Sequence, residues 1–260
     1  MTKKVIASHP LCKDGYYKIC DHWDSANVTR TKLDEEELEN SKIVLCVGDS
    51  FTFGDGMYYT DTWPALLQDT PMFKDYKVIN VGLRGASNDL ITKLIRDWCN
   101  RYSKQIEYVI VGYSFMDRRL HHCHPDVQGQ YFTSMMNLTI GAHGDEGNYS
   151  SLMHNAYMKM NTDLGDLDNN DRNILLTKGL GKIHNFKTYF FHMALCSGYR
   201  DQTAATNFDE FCDHDFVFMD IDTKEFQDPR MAISKEDGHW SVHGHQVVAS
   251  IIEKHIDPTS

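Results

Sequence analysis

No apolar run in the 260 residues approaches the roughly eighteen that a membrane span requires; the longest are short segments such as Tyr108 to Tyr113. Positive charge is scarce as well. Against 37 Asp and Glu stand 26 Lys and Arg, a formal balance of −11, which excludes a broad electrostatic grip on phosphate backbones or anionic lipid and leaves room only for local basic pockets. Neither nucleic acid nor membrane is therefore expected as a partner. Behind Lys3 and Lys4 come only three apolar residues, too few for the h-region of a secretory signal, so export by that route is not expected. Regular cysteine spacing is also lacking: the seven fall at 12, 20, 46, 99, 123, 196 and 212, an odd set, with Cys46, Cys99 and Cys196 among apolar neighbours as small buried thiols are. A reducing, cytoplasmic setting is the expectation, and the sequons at Asn27, Asn137 and Asn148 are then chance matches. There is no internal repeat and no low-complexity linker.

What is present is an ordinary globular composition, 41% hydrophobic and 24% charged, which excludes disorder and suits one large domain. Residues 1–40 are polar and weakly periodic, ending in the acidic run Leu33 to Glu39, and read as an N-terminal arm with a solvated helical turn. From Ser41 the pattern sharpens. Ser41 to Val47 is a continuous β-branched apolar run stopped by Gly48, as in a strand buried on both faces of a parallel sheet. Similar runs recur at 76–81, 108–113, 187–195 and 215–221, separated by helical patterns at 62–67, 88–102, 171–183 and 242–256. Strands alternating with helices predict an α/β domain over 41–257 with a central parallel sheet of about five strands. Residues 119–170, rich in His, Met, Asn, Gly and Tyr and without a period, read as an insertion.

In an open α/β sheet ligands lie beyond the carboxyl ends of the strands. The first strong strand ends in Gly48-Asp-Ser-Phe-Thr-Phe-Gly-Asp-Gly56. The tripeptide alone is weak, since average composition supplies it in roughly one chain of this length in fifteen, but its placement at a strand end exposes the Ser50 hydroxyl and N–H. A capping role for Asp49 or Ser50 fits the motif equally well. Serine becomes a nucleophile only when a base takes its proton, so a histidine and an orienting carboxylate must reach the same edge. The segment Glu236 to Ala249 offers Asp237 and His239, two residues apart before the last helix, while His243 and His245 fall near its first turns and read as structural. A zinc site from His239, His243 and His245 is the competing use, weakened by the lack of a further ligand and by Gly244 on the helical face.

The blocks Gly48 to Gly56 and Asp237-Gly-His-Trp-Ser-Val-His-Gly-His245, in this order at opposite ends of the chain, resemble those of the SGNH (GDSL) hydrolases. That resemblance, over about 41–257, implies a three-layer flavodoxin-like fold and esterase or deacetylase chemistry without a cofactor or metal. It implies Ser50 as nucleophile, His239 as general base and Asp237 as its acid, although many members place the acid where this chain has Glu236. Asn80 to Asn88 resembles the second block, with Gly85 as the family glycine whose N–H helps hold the oxyanion; a plain glycine turn is equally compatible with those residues. The third block departs from the pattern, because Gly112-Tyr-Ser-Phe-Met-Asp-Arg118 puts Met116 where the family has an asparagine donor. Losing one such donor costs on the order of 2.7 to 4 kcal/mol of transition-state stabilisation. Asn88, and otherwise Ser114 or Arg118, are the candidate replacements, and Asp117–Arg118 reads as an ion pair at the cleft edge.

The expected activity is hydrolysis of a short-chain ester or O-acetylated carbohydrate through an acyl-enzyme, in the manner of a bacterial or phage member. The alternative is a catalytically weakened scaffold used for binding or assembly, favoured by Met116 and the insertion. A metal-assisted phosphoesterase using Asp49 with the histidines ranks third. His121-His-Cys-His124 has the composition of a metal cluster but adjacent residues do not easily face one ion, so a polar loop is expected. Asp166 to Asp171 fails as a calcium loop for want of Gly at the sixth position and Glu at the twelfth.

Overall fold

The computed structural model describes residues 3–4, 17–18, 28–115, 118–122, 135–138, 163–192, 216–218, 228–234 and 237–257. Three two-residue strands, β1 (Lys3–Lys4), β2 (Tyr17–Lys18) and β3 (Val28–Thr29), pair antiparallel in that order. After α1 (Glu35–Glu39), capped by the Asp34 carboxylate on Glu37 N–H, the chain enters β4 (Ile43–Gly48). Then follow α2 (Ser50–Phe53), α3 (Trp63–Gln68), β5 (Lys77–Asn80), α4 (Asn88–Tyr102) and β6 (Ile106–Tyr113). A small antiparallel pair, β7 (Arg119–His122) and β8 (Met135–Leu138), precedes α5 (Asp163–His184), β9 (Lys187–His192), β10 (Phe216–Phe218) and α6 (Val242–Ile256).

The main sheet has five parallel strands in the order β10-β9-β6-β4-β5. Numbered within the sheet this is 2-1-3-4-5, the doubly wound flavodoxin-like order, so the expected fold class is the one observed. β4 lies inside the sheet between β6 and β5 with every one of its residues buried, and its alternation divides the core. Ile43, Leu45 and Val47 face Leu94, Ile95 and Trp98 of α4 and Ile174 of α5, while Val44 and Cys46 face Trp63 and Leu67 of α3 and Val248 and Ile252 of α6. The continuous apolar run of the sequence thus supplies two helix-covered faces. Cys46 and Cys99 are buried thiols as expected, and burial pushes the Cys46 thiol well up and that of Cys99 to about 12; Cys196 lies outside the described residues.

Two regions differ from the sequence reading by more than a residue or two. α5 begins at Asp163 rather than 171, inside the stretch read as aperiodic, because its first turns are held by polar contacts. Asp166 pairs with Arg119 at 2.8 Å, and Asn169 and Asn173 donate to Asp89. The end of the polar arm is also more than a lead-in, since Leu33 and Leu38 join the core and Arg30 is fully buried. Most of residues 119–162, including Cys123 and His124, lies outside the described residues.

Candidate active site

The strand order reverses between β4 and β6, and the chain leaves both strands at the carboxyl edge of this switch point. After Gly48 the Asp49 side chain caps α2 by accepting the Phe51 N–H at 3.0 Å, so Ser50 opens a one-turn helix at the sheet edge. The Ser50 N–H, orphaned at the helix start, finds no acceptor among the described residues. Its side chain meets the far end of the chain: His239 Nε2 lies 2.9 Å from Ser50 Oγ.

The turn before α6 delivers that imidazole. Ile233 N–H donates to His239 O, Ser234 N–H to Asp237 O and Ser241 N–H to Met231 O, so 231–234 is bonded against 237–241 ahead of the helix. Asp237 N–H donates to Ser234 Oγ, and Asp237 Oδ1 accepts both the His239 N–H, at 3.1 Å, and a bond from His239 Nδ1 at 2.6 Å. A carboxylate oxygen can only accept, so Nδ1 carries the proton and Nε2 of the neutral ring is left to accept from the Ser50 hydroxyl. Phe51 packs on the ring of His239 at 5.1 Å and on Trp240 at 5.0 Å, limiting its tilt. The structure therefore brings Ser50, His239 and Asp237 together, while Glu236 lies outside the described residues.

Gly85 lies in the loop after β5 with φ 70°, a left-handed conformation that glycine takes without strain, and its N–H also meets no acceptor among the described residues. The loop is tied to the serine loop by Arg84, whose Nε donates to the buried Asp55 carboxylate at 2.8 Å. Asn88, expected as a side-chain donor to the oxyanion, is used otherwise. Its Nδ2 donates to Asn170 Oδ1 at 3.0 Å and Ser114 O at 3.3 Å, and its Oδ1 accepts the Ser114 N–H. Both amide hydrogens are spent on joining α4, α5 and the end of β6.

The side chains of Arg118 and Ser114 both reach Asp49. Asp49 Oδ2 accepts from Ser114 Oγ and, at 2.9 Å, from Arg118 Nη1, which also donates to Ser114 Oγ at 2.8 Å. Burial pushes the Asp49 carboxyl up; Arg118, the Ser114 hydroxyl, the Phe51 N–H and His239 pull it back. Arg118 thus pairs with Asp49; Asp117, its expected partner, lies outside the described residues, as does Met116.

The three C-terminal histidines point to different partners, unlike ligands of one metal. His243 Nε2 lies 3.8 Å from Asp228, and His245 is buried with Nδ1 accepting the Trp63 N–H at 3.2 Å. Burial, with the nearby Arg30 and His239, pushes the His245 imidazole down to about 3, so it stays neutral. Among the described residues no three His, Cys, Asp or Glu side chains form a metal-sized group, and no helix is long and apolar enough to cross a membrane.

No family model matches the sequence, and no curated protein matches it. Solved structures do match by shape. The psychrotrophic esterase EstA from Pseudoalteromonas sp., inhibited by monoethylphosphonate, superposes with TM-score 0.53 at 10% identity, over 84% of this chain and 97% of EstA. TesA superposes with TM-score 0.50 at 12% identity, over 83% and 98% of the two chains. A third likeness, to a protein assigned to the G-D-S-L lipolytic family in Desulfitobacterium hafniense DCB-2, is weaker in superposition, with TM-score 0.49 at 13% identity over 82% and 99%. The chain shares the fold of EstA and TesA, and its parallel sheet covered by helices on both faces is the fold class that the first and last sequence blocks imply.

Proposed function

We propose that the protein is a serine esterase that hydrolyses a short acyl ester, such as an O-acetylated carbohydrate, through a covalent intermediate on Ser50. The observation that supports this most is the continuous relay from Ser50 Oγ to His239 Nε2 at 2.9 Å and from His239 Nδ1 to Asp237 Oδ1 at 2.6 Å, at a sheet edge where two backbone N–H groups lack acceptors among the described residues. Likeness to EstA carries the fold; the reaction class rests on the site.

His239 Nε2 takes the hydroxyl proton as Ser50 Oγ attacks the ester carbonyl, and Asp237 stabilises the imidazolium that forms. The N–H groups of Ser50 and Gly85 receive the negative charge that develops on the carbonyl oxygen. As the C–O bond to the alcohol breaks, Nε2–H gives its proton to the departing oxygen, leaving an acyl group on Ser50. Water then repeats the sequence, losing a proton to Nε2 as it attacks, and Ser50 Oγ recovers that proton on release of the acid. With both its amide hydrogens spent elsewhere, Asn88 does not replace the asparagine donor the family usually supplies.

That shortfall favours the second reading, a weakened scaffold that binds rather than turns over. Turnover of a short p-nitrophenyl ester and labelling by a fluorophosphonate probe separate the two. The esterase reading expects both in the wild type and neither in Ser50→Ala. Activity surviving Ser50→Ala rejects the role of Ser50, and a wild type that neither labels nor turns over supports the binding scaffold.

A further inference from the structure

The helix that presents Ser50 has four residues, far too few to be stable by itself, so its geometry is set by what holds its ends. At the N-terminus that is Asp49. At the C-terminus Gly54 adopts φ 75° and returns its N–H to Ser50 O at 2.9 Å, and Asp55 N–H donates to the same oxygen at 3.0 Å. Of the next carbonyls, that of Gly54 accepts the Met57 N–H at 3.1 Å, and all four, those of Thr52, Phe53, Gly54 and Met57, also receive a side-chain donor. Asn80 Nδ2 supplies Thr52 O at 2.7 Å. The remaining three converge on a single side chain from the polar segment before the sheet. Arg30 Nη1 donates to Phe53 O and, at 2.8 Å, to Gly54 O, and Arg30 Nη2 donates to Met57 O.

Arg30 is fully buried, and its guanidinium lies 4.1 Å from the centre of the Phe53 ring. Its own backbone is fastened to the strand beside β4: Arg30 N–H donates to Asn80 O, and Thr31 Oγ1 accepts the Asn80 N–H, both at 2.8 Å. The guanidinium is therefore a fixed fork, five donors in a plane, set under the turn 53–57. Gly54 connects it to the reacting residue in two bonds, because the glycine carbonyl accepts from Arg30 while its N–H donates to Ser50 O. Bonds in such a chain polarise and strengthen one another.

We infer that Arg30 is a positioning residue for the nucleophile: by holding the carbonyls of Phe53, Gly54 and Met57 it fixes the one-turn helix that aims Ser50 Oγ at His239 and Ser50 N–H at the oxyanion. This rests on the acyl-enzyme reading above. The 2.9 Å separation of Ser50 Oγ from His239 Nε2 sits within the narrow window in which a proton passes, so a shift of several tenths of an ångström in α2 acts on the chemical step rather than on substrate binding. Lysine keeps the charge but replaces the fork with a point donor that cannot span three carbonyls.

The test compares wild type, Arg30→Lys and Arg30→Ala, with and without guanidinium ion at concentrations well below denaturing, reading kcat, KM, the rate of fluorophosphonate labelling and amide exchange at Gly54 and Asp55. Both variants should lose about 10- to 100-fold in kcat and labelling rate with KM within about twofold. Guanidinium should restore several-fold of the loss in Arg30→Ala, where it can enter the vacated space, and methylammonium should not. Wild-type rates in folded Arg30→Lys, or a folded Arg30→Ala whose loss guanidinium fails to recover, overturns the assignment; if Arg30→Ala does not fold, Arg30→Lys alone decides. If the wild type itself neither turns over nor labels, the esterase reading fails instead, and amide exchange decides the clamp: faster exchange at Gly54 and Asp55 in Arg30→Lys upholds it, and unchanged protection overturns it.

Discussion

Replacing Asp237 by asparagine isolates the orienting carboxylate, because the amide is nearly isosteric and its oxygen can still accept the His239 backbone N–H. Two effects follow in the proposed reaction. The imidazolium formed as Ser50 gives up its proton loses a neighbouring negative charge. With charge centres ~4 Å apart, that attraction is about 1 kcal/mol in water and about 4 kcal/mol at an effective dielectric of ~20. The two side chains are 30% and 29% exposed, between those limits, so a loss of about 2 to 3 kcal/mol is expected, equivalent to about 30- to 160-fold in kcat. In addition the asparagine NH2 can donate to Nδ1, which puts the ring proton on Nε2 and removes the acceptor for the Ser50 hydroxyl, so the fall should be no smaller than this charge contribution. The assay is turnover of a p-nitrophenyl ester under saturating substrate, with the melting temperature as control; the latter should stay within ~2 °C. Glu236→Gln is the companion variant and should retain wild-type kcat. A kcat for Asp237→Asn within threefold of wild type would refute the role of Asp237, and loss in Glu236→Gln instead would transfer that role to Glu236.

Two further predictions concern the groups packed behind the site. Arg118→Met leaves the buried Asp49 carboxylate without its cation, and breaking such a pair costs about 3 to 5 kcal/mol. Without Arg118 the carboxyl, already pushed up by burial, rises further, so the folded state favours the protonated acid and stability falls as pH rises through that value. Urea denaturation should show a smaller deficit at pH 4 than at pH 7, and an equal deficit at both would refute the account. His245 works in the opposite sense: its imidazole is pushed from the ordinary 6.5 to about 3, so the unfolded chain takes up the proton first and stability drains away as pH falls below 6.5. At pH 4 this amounts to about 3 kcal/mol, so His245→Gln, which keeps an acceptor for the Trp63 N–H, should be less stable than wild type at pH 7 and more stable at pH 4; the same pH slope in both proteins would refute it.

The parts of the fold legible in the sequence are those whose burial is decided by local pattern. Ile43 to Val47 must be buried on both faces because no polar residue interrupts it, and the observed sheet places helices on both sides of it. α4 shows its stripe of Leu90, Ile91, Leu94, Ile95 and Trp98 on the core side, and its expected bounds are the observed ones. α5 was legible only from its middle. Its first turns carry Asp166, Asn169, Asn170 and Asn173, whose partners are Arg119, Asp89 and Asn88 rather than apolar side chains, so the buried face is polar and leaves no hydrophobic period to read.

The same distinction separates what could be read of the site from what could not. Ser50, Asp237 and His239 stand next to punctuation that the chain displays openly, a strand end and the turn before a helix, and the short spacing of Asp237 and His239 already limits their geometry. The groups that steady the serine have no such marker. Asn88, a candidate oxyanion donor by sequence, closes a junction of three elements. Arg30 sits in a segment with no apolar period, and the carbonyls that make its burial tolerable lie 23 to 27 residues downstream. What the sequence does contain is the need for it. A serine placed on a single helical turn between a strand and a glycine leaves carbonyls that the turn cannot satisfy internally. A donor must then come from another part of the chain, and a long, multiply donating side chain is the kind best able to reach several of them from one buried position.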